Sequence, residues 1–205
     1  MSATITSLRE EGFAGTSARS IARHGRFNQA LIFYHYGSVL DAMVAALERV
    51  SAERLDQYRD AVDTANDLSQ ALAVAQKQYA VDVKEGHITV LAELVAGASS
   101  VPELGPEMVR CLEPWTRFAQ ETIRRLIAGT ALDTVIPPAQ AARAIVAVYL
   151  GMELLDHLDP AAKAADDLFE VARQLVRAAR PLLATGRAKS EAADTRLRRV
   201  DITTS

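Results

Sequence analysis

Residues 16–38 read TSARSIARHGRFNQALIFYHYGS. Thr16 and Ser17 carry hydroxyls that can accept the unpaired N–H groups of a helix start. Ile21 and Ala22 give that helix a small apolar face. Gly25 can take the left-handed conformation that ends it. Asn28 can cap a second helix, which carries Gln29, Ala30, Leu31, Ile32, Phe33 and Tyr34 before Gly37 and Ser38 stop it. Two short helices around a glycine-containing turn outline a helix-turn-helix, whose second helix can lie in the major groove of DNA.

On that outline, Gln29 and Asn28 are of the residue types that pair with adenine edges, and Ala30 can meet a thymine methyl. Asn28 is equally well read as a helix cap. Thr16 and Ser17 sit at a helix start, where outward N–H groups suit a phosphate. Arg26 in the turn is a further phosphate candidate, and Ser38 is counted with this set. Phe33 and Tyr36 are expected to pack the helices together.

The order and spacing of these residues resemble the TetR (tetracycline-repressor-like) transcriptional regulators. The shared pattern is Thr16-Ser17, then Ile21-Ala22, a short turn, a recognition helix, the cluster Tyr34-His35-Tyr36, and Gly37-Ser38. It covers about a tenth of the chain. The resemblance implies that Tyr34 and His35 reach phosphates. It also implies a homodimer on double-stranded operator DNA with an inverted repeat, released by a small molecule. Three positions depart from the pattern. The first helix is expected to be short, since only Met1 to Glu11 precede Gly12-Phe13; Arg26 stands where glycine is common, and Val39 replaces a frequent lysine.

Charge agrees with a head that meets phosphate and a body that does not. Residues 1–38 hold four arginines and two acids, a net of +2, in a chain whose overall formal charge is −3. The rest of the chain therefore carries −5. The one cysteine, Cys111, allows no intramolecular disulfide, which suits a reducing cytoplasm. Met1 to Glu11 lacks the basic start and apolar run of a signal peptide. No apolar stretch approaches the ~20 residues of a membrane span, so a cytoplasmic location away from membranes is expected.

Beyond Ser38 apolar residues recur at three and four, and alternation of period two is lacking. The fold expected is all-α: a helix-turn-helix domain over 1–45, a larger regulatory and dimerisation domain over 46–185, and a disordered tail over 186–205. Helices are expected at 40–65, 68–84, 88–98, 107–128, 139–158 and 165–183, with a break at Asp159-Pro160. The last two carry more apolar surface than one small body can cover. The family resemblance makes them the dimer interface, represented by Ile145, Tyr149, Met152, Leu168, Val171, Leu175 and Leu182. Tyr79, Leu91, Leu94, Met108, Trp115, Phe118 and Glu153 are the candidates for a mainly apolar ligand pocket.

Catalysis is not expected, and neither a metal nor a cofactor is. The four histidines lack ligand spacing, and Cys111 has no base beside it. The alternative to a ligand-responsive regulator is a helical interaction or ligand-carrier protein whose head does not bind DNA.

Overall fold

The computed structural model describes residues 1–159 and 164–200. Residues 160–163, where part of the expected break falls, and 201–205, the end of the expected tail, lie outside the described residues. Among the described residues nine α-helices follow one another: α1 (Ser2–Gly15), α2 (Ala18–Gly25), α3 (Ala30–Tyr36), α4 (Val39–Asp63), α5 (Leu68–Glu85), α6 (His87–Ala98), α7 (Leu104–Ile127), α8 (Pro138–Leu158) and α9 (Ala164–Val200). A short 3₁₀ turn, Ala131–Thr134, precedes α8. No strand occurs among the described residues. No single described helix is long and apolar enough to cross a membrane.

Local chemistry sets the boundaries. Ser17 caps α2, accepting from Ser20 N at 3.1 Å, and Ser20 Oγ returns the contact by accepting from Ser17 N at 2.8 Å. Ser38 caps α4 and Asp67 caps α5 in the same way, at 3.0 and 2.8 Å. Each such cap is worth about 1 kcal/mol. Gly86, at φ 69°, closes α5. Pro138 opens α8 at the position where a missing N–H costs nothing.

Two boundaries differ from the expectation. α1 runs past Glu11 to Gly15, through a kink at Gly12 (φ 72°, ψ 180°). The backbone of 186–200 continues α9 rather than leaving it. That stretch is rich in arginine and alanine, which favour a helix even without an apolar stripe.

The head is built on Ala3, Ile21, Ile32 and Ala42, with Phe27, Tyr36 and Val39 against them. A second core joins Leu8 of α1 to Met43, Val44 and Leu47 of α4, Val90, Leu91 and Leu94 of α6, and Leu104, Met108 and Cys111 of α7. The head therefore shares a core with the body, and α4 passes from one into the other. Tyr79, Met152, Ala165 and Phe169 form a third core among α5, α8 and α9. Ile123, Ile127, Leu132 and Ala142 close the far end.

Candidate nucleic-acid interface and inner cavity

α3 is seven residues long, and only Ile32 of them is buried. Ala30, Leu31, Phe33, Tyr34 and His35 are exposed. Gln29 and Ala30 are exposed at its start, and Tyr34 is 82% exposed near its end. His35 is exposed too, with its ring edge-on to Tyr34 at 5.0 Å between centroids. Asn28 acts as a local cap: its side-chain oxygen accepts from Ala30 N at 2.9 Å. Tyr36 packs into the head core, but Phe33 does not. It is 51% exposed, because it lies one turn from Gln29 on the outward face.

Around α3 the expected phosphate contacts divide. Ser17 is exposed at the capped start of α2. Arg19 and Arg26 are exposed and make no ion pair among the described residues. Arg23 is engaged with Glu11 at 2.6 Å, and His24 meets the same carboxylate at 2.6 Å. The His24 and Arg23 hydrogen bonds hold the Glu11 carboxyl below its ordinary range. Thr16 faces inward instead. Its hydroxyl donates to Gly12 O at 2.7 Å and accepts from Ser7, which also meets Ser20. The Ser38 hydroxyl is occupied by its cap and by Asp41 Oδ2 at 2.6 Å.

The body encloses a cavity of about 580 Å³, within the range of sites that hold drug-sized ligands. Leu91, Met108, Trp115, Phe118 and Glu153 line it as expected. Tyr79 and Leu94 do not. Leu94 is fully buried in the core shared with the head, and the Tyr79 hydroxyl donates to Asp156 at 2.7 Å. Helical spacing alone separates neither position from the wall: Tyr79 lies one turn from Ala75, and Leu94 one turn from Leu91, both of which line it.

At one end of the cavity lies a polar cluster that the sequence did not announce. Arg54 of α4, only 5% exposed, forks onto Asp82 of α5 with distances of 2.9 and 2.6 Å. Its Nη2 also donates to the Tyr149 hydroxyl at 2.7 Å and to Glu153 Oε1 at 3.1 Å. The Tyr58 and Tyr149 hydroxyls both donate to Asp82 Oδ2. Trp115 stacks on Tyr149 and anchors its indole N–H on Ser51 at 2.7 Å. Burial works against the Arg54 charge, but Tyr149, Asp82 and Glu153 together raise its pKa and keep it a cation. Burial also pushes Glu153 up to about 7, against the pull of Arg54. An apolar-periodicity reading cannot find such a cluster: Arg54 sits on an otherwise apolar stripe, Asp82 near the end of α5, and their pairing spans 28 residues.

α8 and α9 present an outward apolar surface. Ile145, Val148, Val171 and Leu175 are exposed around the cavity mouth. Leu154, Leu155, Leu158 and Leu182 are exposed beyond it. Of the expected interface set, Tyr149, Met152 and Leu168 face inward. Met152 is buried against Tyr79 and Phe169, with Tyr149 and Leu168 packed on the same core.

No family model matches the sequence, and no curated protein matches it. Solved structures do match in three dimensions. A protein from Rhodococcus sp. described as a TetR-family transcriptional regulator superposes with a TM-score of 0.67 at 18% identity, covering 89% of this chain and 95% of that one. The fatty acid degradation regulator FadR from Bacillus halodurans gives 0.67 at 16% identity, covering 85% and 90%. A protein from Pseudomonas aeruginosa PAO1 described as a transcriptional regulator gives 0.68 at 20%, covering 86% of each. The chain has the TetR-regulator fold. The all-α, helix-turn-helix-first architecture expected from residues 16–38 is thereby confirmed over most of the length. In this TetR fold α2 and α3 are the helix-turn-helix, and α4 to α9 form the body around the cavity.

Proposed function

We propose that the chain is a DNA-binding transcriptional regulator, a repressor that works in the cytoplasm as a homodimer and leaves its operator when a small molecule enters the cavity. One observation carries the reading. α4 starts at Val39, capped by Ser38, directly after the outward-facing α3, and the same helix supplies Leu47, Val50, Arg54 and Tyr58 to the cavity wall. A ligand that moved α4 would move the head with it. Ligand and DNA would then bias one equilibrium, and each would weaken the other by the same factor. We read the chain as a binding protein rather than an enzyme. The cavity's polar groups hydrogen-bond one another, and burial followed by Glu48 pushes the Cys111 thiol up to about 11, far from a thiolate nucleophile.

The test is a mobility-shift assay with DNA flanking the chain's own gene. A shift on an inverted repeat is expected. Gln29→Ala should relax sequence preference, by roughly 1–3 kcal/mol for a lost bidentate base contact. Tyr34→Phe should weaken binding to all sequences alike, as loss of a phosphate donor does. An unaltered operator preference in Gln29→Ala would remove that residue from the reading.

A second reading is a helical interaction or ligand-carrier protein. The exposed Leu31 and Phe33 of α3 favour it. They add apolar surface to a head that also exposes Arg19 and Arg26. The same assay decides, since this reading predicts no shift with any flanking DNA.

A further inference from the structure

We propose that the cavity takes a lipophilic amine cation, its apolar body among the cavity walls and its ammonium group on the Glu153 carboxylate. The inference rests on the ligand-responsive reading above and supplies the chemical class of the ligand.

The two carboxylates beside Arg54 are unequally matched. Asp82 is fully matched: it takes both arms of the Arg54 fork and two tyrosine hydroxyls. Glu153 is not. It is 2% exposed and lines the cavity. Its Oε1 accepts from Arg54 at 3.1 Å, while its Oε2 is buried with no hydrogen-bond partner among the described residues. One guanidinium thus faces two carboxylates, and its bidentate geometry is spent on Asp82.

The neighbouring groups do not make up the difference. From α4 come Arg54 and Tyr58, both turned to Asp82. The imidazole of His87, on α6, lies 3.3 Å from Asp82 Oδ1 and 3.5 Å from Glu85. On α5 the Tyr79 hydroxyl goes to Asp156, which lies one turn beyond Glu153 on α8. α7 contributes Trp115, whose N–H is on Ser51. On α8, Tyr149 donates to Asp82 and also lies within hydrogen-bonding reach of Glu153, yet Glu153 Oε2 stays without a partner among the described residues.

A buried carboxylate with an unpaired oxygen either takes up a proton or acquires a donor. Burial has moved Glu153 to about 7, so near neutrality it stands between the two. An ammonium group supplies the missing charge and the missing N–H at once. A carboxylate ligand would add a third anion beside Asp82 and Glu153, where the Arg54 guanidinium is already forked. The rest of the site suits a lipophilic body. Leu91, Met108 and Phe118 offer apolar wall.

The experiment uses three ligands of equal length with different heads: 4-phenylbutylamine, 4-phenylbutanol and 4-phenylbutanoate. Binding to the full chain is followed by calorimetry and by the emission of Trp115, the sole tryptophan, from pH 6 to 8.5. The amine, charged throughout with a pKa of about 10.4 like lysine, should bind at least about tenfold tighter than the carboxylate at pH 8. Its affinity should rise with pH, by up to about tenfold per unit, and level off above the Glu153 pKa. The alcohol should show no such rise. Glu153→Gln should erase the amine's advantage and its pH dependence while leaving the alcohol bound. If that variant does not fold, the head-group order and pH profile of the wild type still decide. A carboxylate that binds as well as the amine, an amine affinity flat in pH, or three silent ligands would each overturn the proposal. Mobility shifts separate it from the reading beneath. Tight amine binding with unchanged DNA affinity upholds the ligand class and overturns the regulator. Release of DNA by the alcohol with no preference for the amine does the reverse.

Discussion

Arg26 occupies the left-handed region, at φ 53° and ψ 43°, as the cap that ends α2. No other described non-glycine residue has positive φ. The residue before it, Gly25, does not use its own freedom in that way. A Cβ on Gly25 would fall 2.0 Å from the Phe27 ring, so this glycine is required for close approach. The two roles of a turn glycine are thus divided between adjacent positions. Residue type alone puts the left-handed cap on Gly25, since the ring that crowds it becomes visible only once the turn has folded. Arg26→Gly is expected to relieve about 1–2 kcal/mol of left-handed strain and to lose about 0.4–1 through the freer unfolded chain. Urea denaturation should therefore show a net gain of about 0.5–1 kcal/mol. If Arg26 touches phosphate, the same variant should reduce the salt slope of DNA binding by about 0.9 per contact. A more stable head with an unchanged salt slope would take Arg26 out of the interface.

At the scale of elements, α6 lies between the cavity and the head. Its residues His87 and Leu91 line the cavity. Glu93, on the same helix, accepts from the N–H of Phe13 at 2.7 Å, and the Phe13 ring lies where a Cβ on Gly97 would stand. This clasp explains why α1 outruns its sequence signal. Gly12-Phe13 reads locally as a stop, and the carboxylate that holds the kinked chain comes from 80 residues away. The helices whose ends carry their own caps, α2, α4 and α5, were legible within a residue or two; the α1 kink was not, because its partner is distant. Gly12→Ala should break the clasp from the α1 side. The backbone there is strained for any side chain, and the new Cβ would lie 2.9 Å from Glu93 Oε2. A loss of about 1–3 kcal/mol is expected on unfolding, and a chain as stable as wild type would show that the kink relaxes without the clasp.

For the whole molecule, the outer surface of α8 asks for a second copy. Ala144, Ala147, Val148, Gly151, Leu155 and Leu158 recur at three and four along it, and Leu158 is 71% exposed. Val171, Leu175 and Leu182 continue the apolar surface on α9. Two apolar stripes on one helix cannot be sorted into inner and outer by periodicity; Tyr149 and Met152 share the outward spacing, yet they pack inward with Tyr79 and Phe169. A Cβ on Gly151 would meet nothing within 4 Å, so no packing within the chain calls for a glycine there. Two α8 helices crossing at Ala147 and Gly151, with α9 alongside, would make a four-helix interface of the isologous kind. It would also cover Val148, Val171 and Leu175 at the cavity mouth, so that ligand and partner share a wall. Leu155→Glu tests the arrangement away from that mouth. It would set an unpaired charge in a dry contact. Light scattering should show monomers at micromolar concentration, where the wild type runs as a dimer. Each head would remain folded, yet operator affinity should fall by at least about a hundredfold, because two linked heads gain that much from binding together. A wild-type chain that ran as a monomer would remove the two-fold operator from the reading.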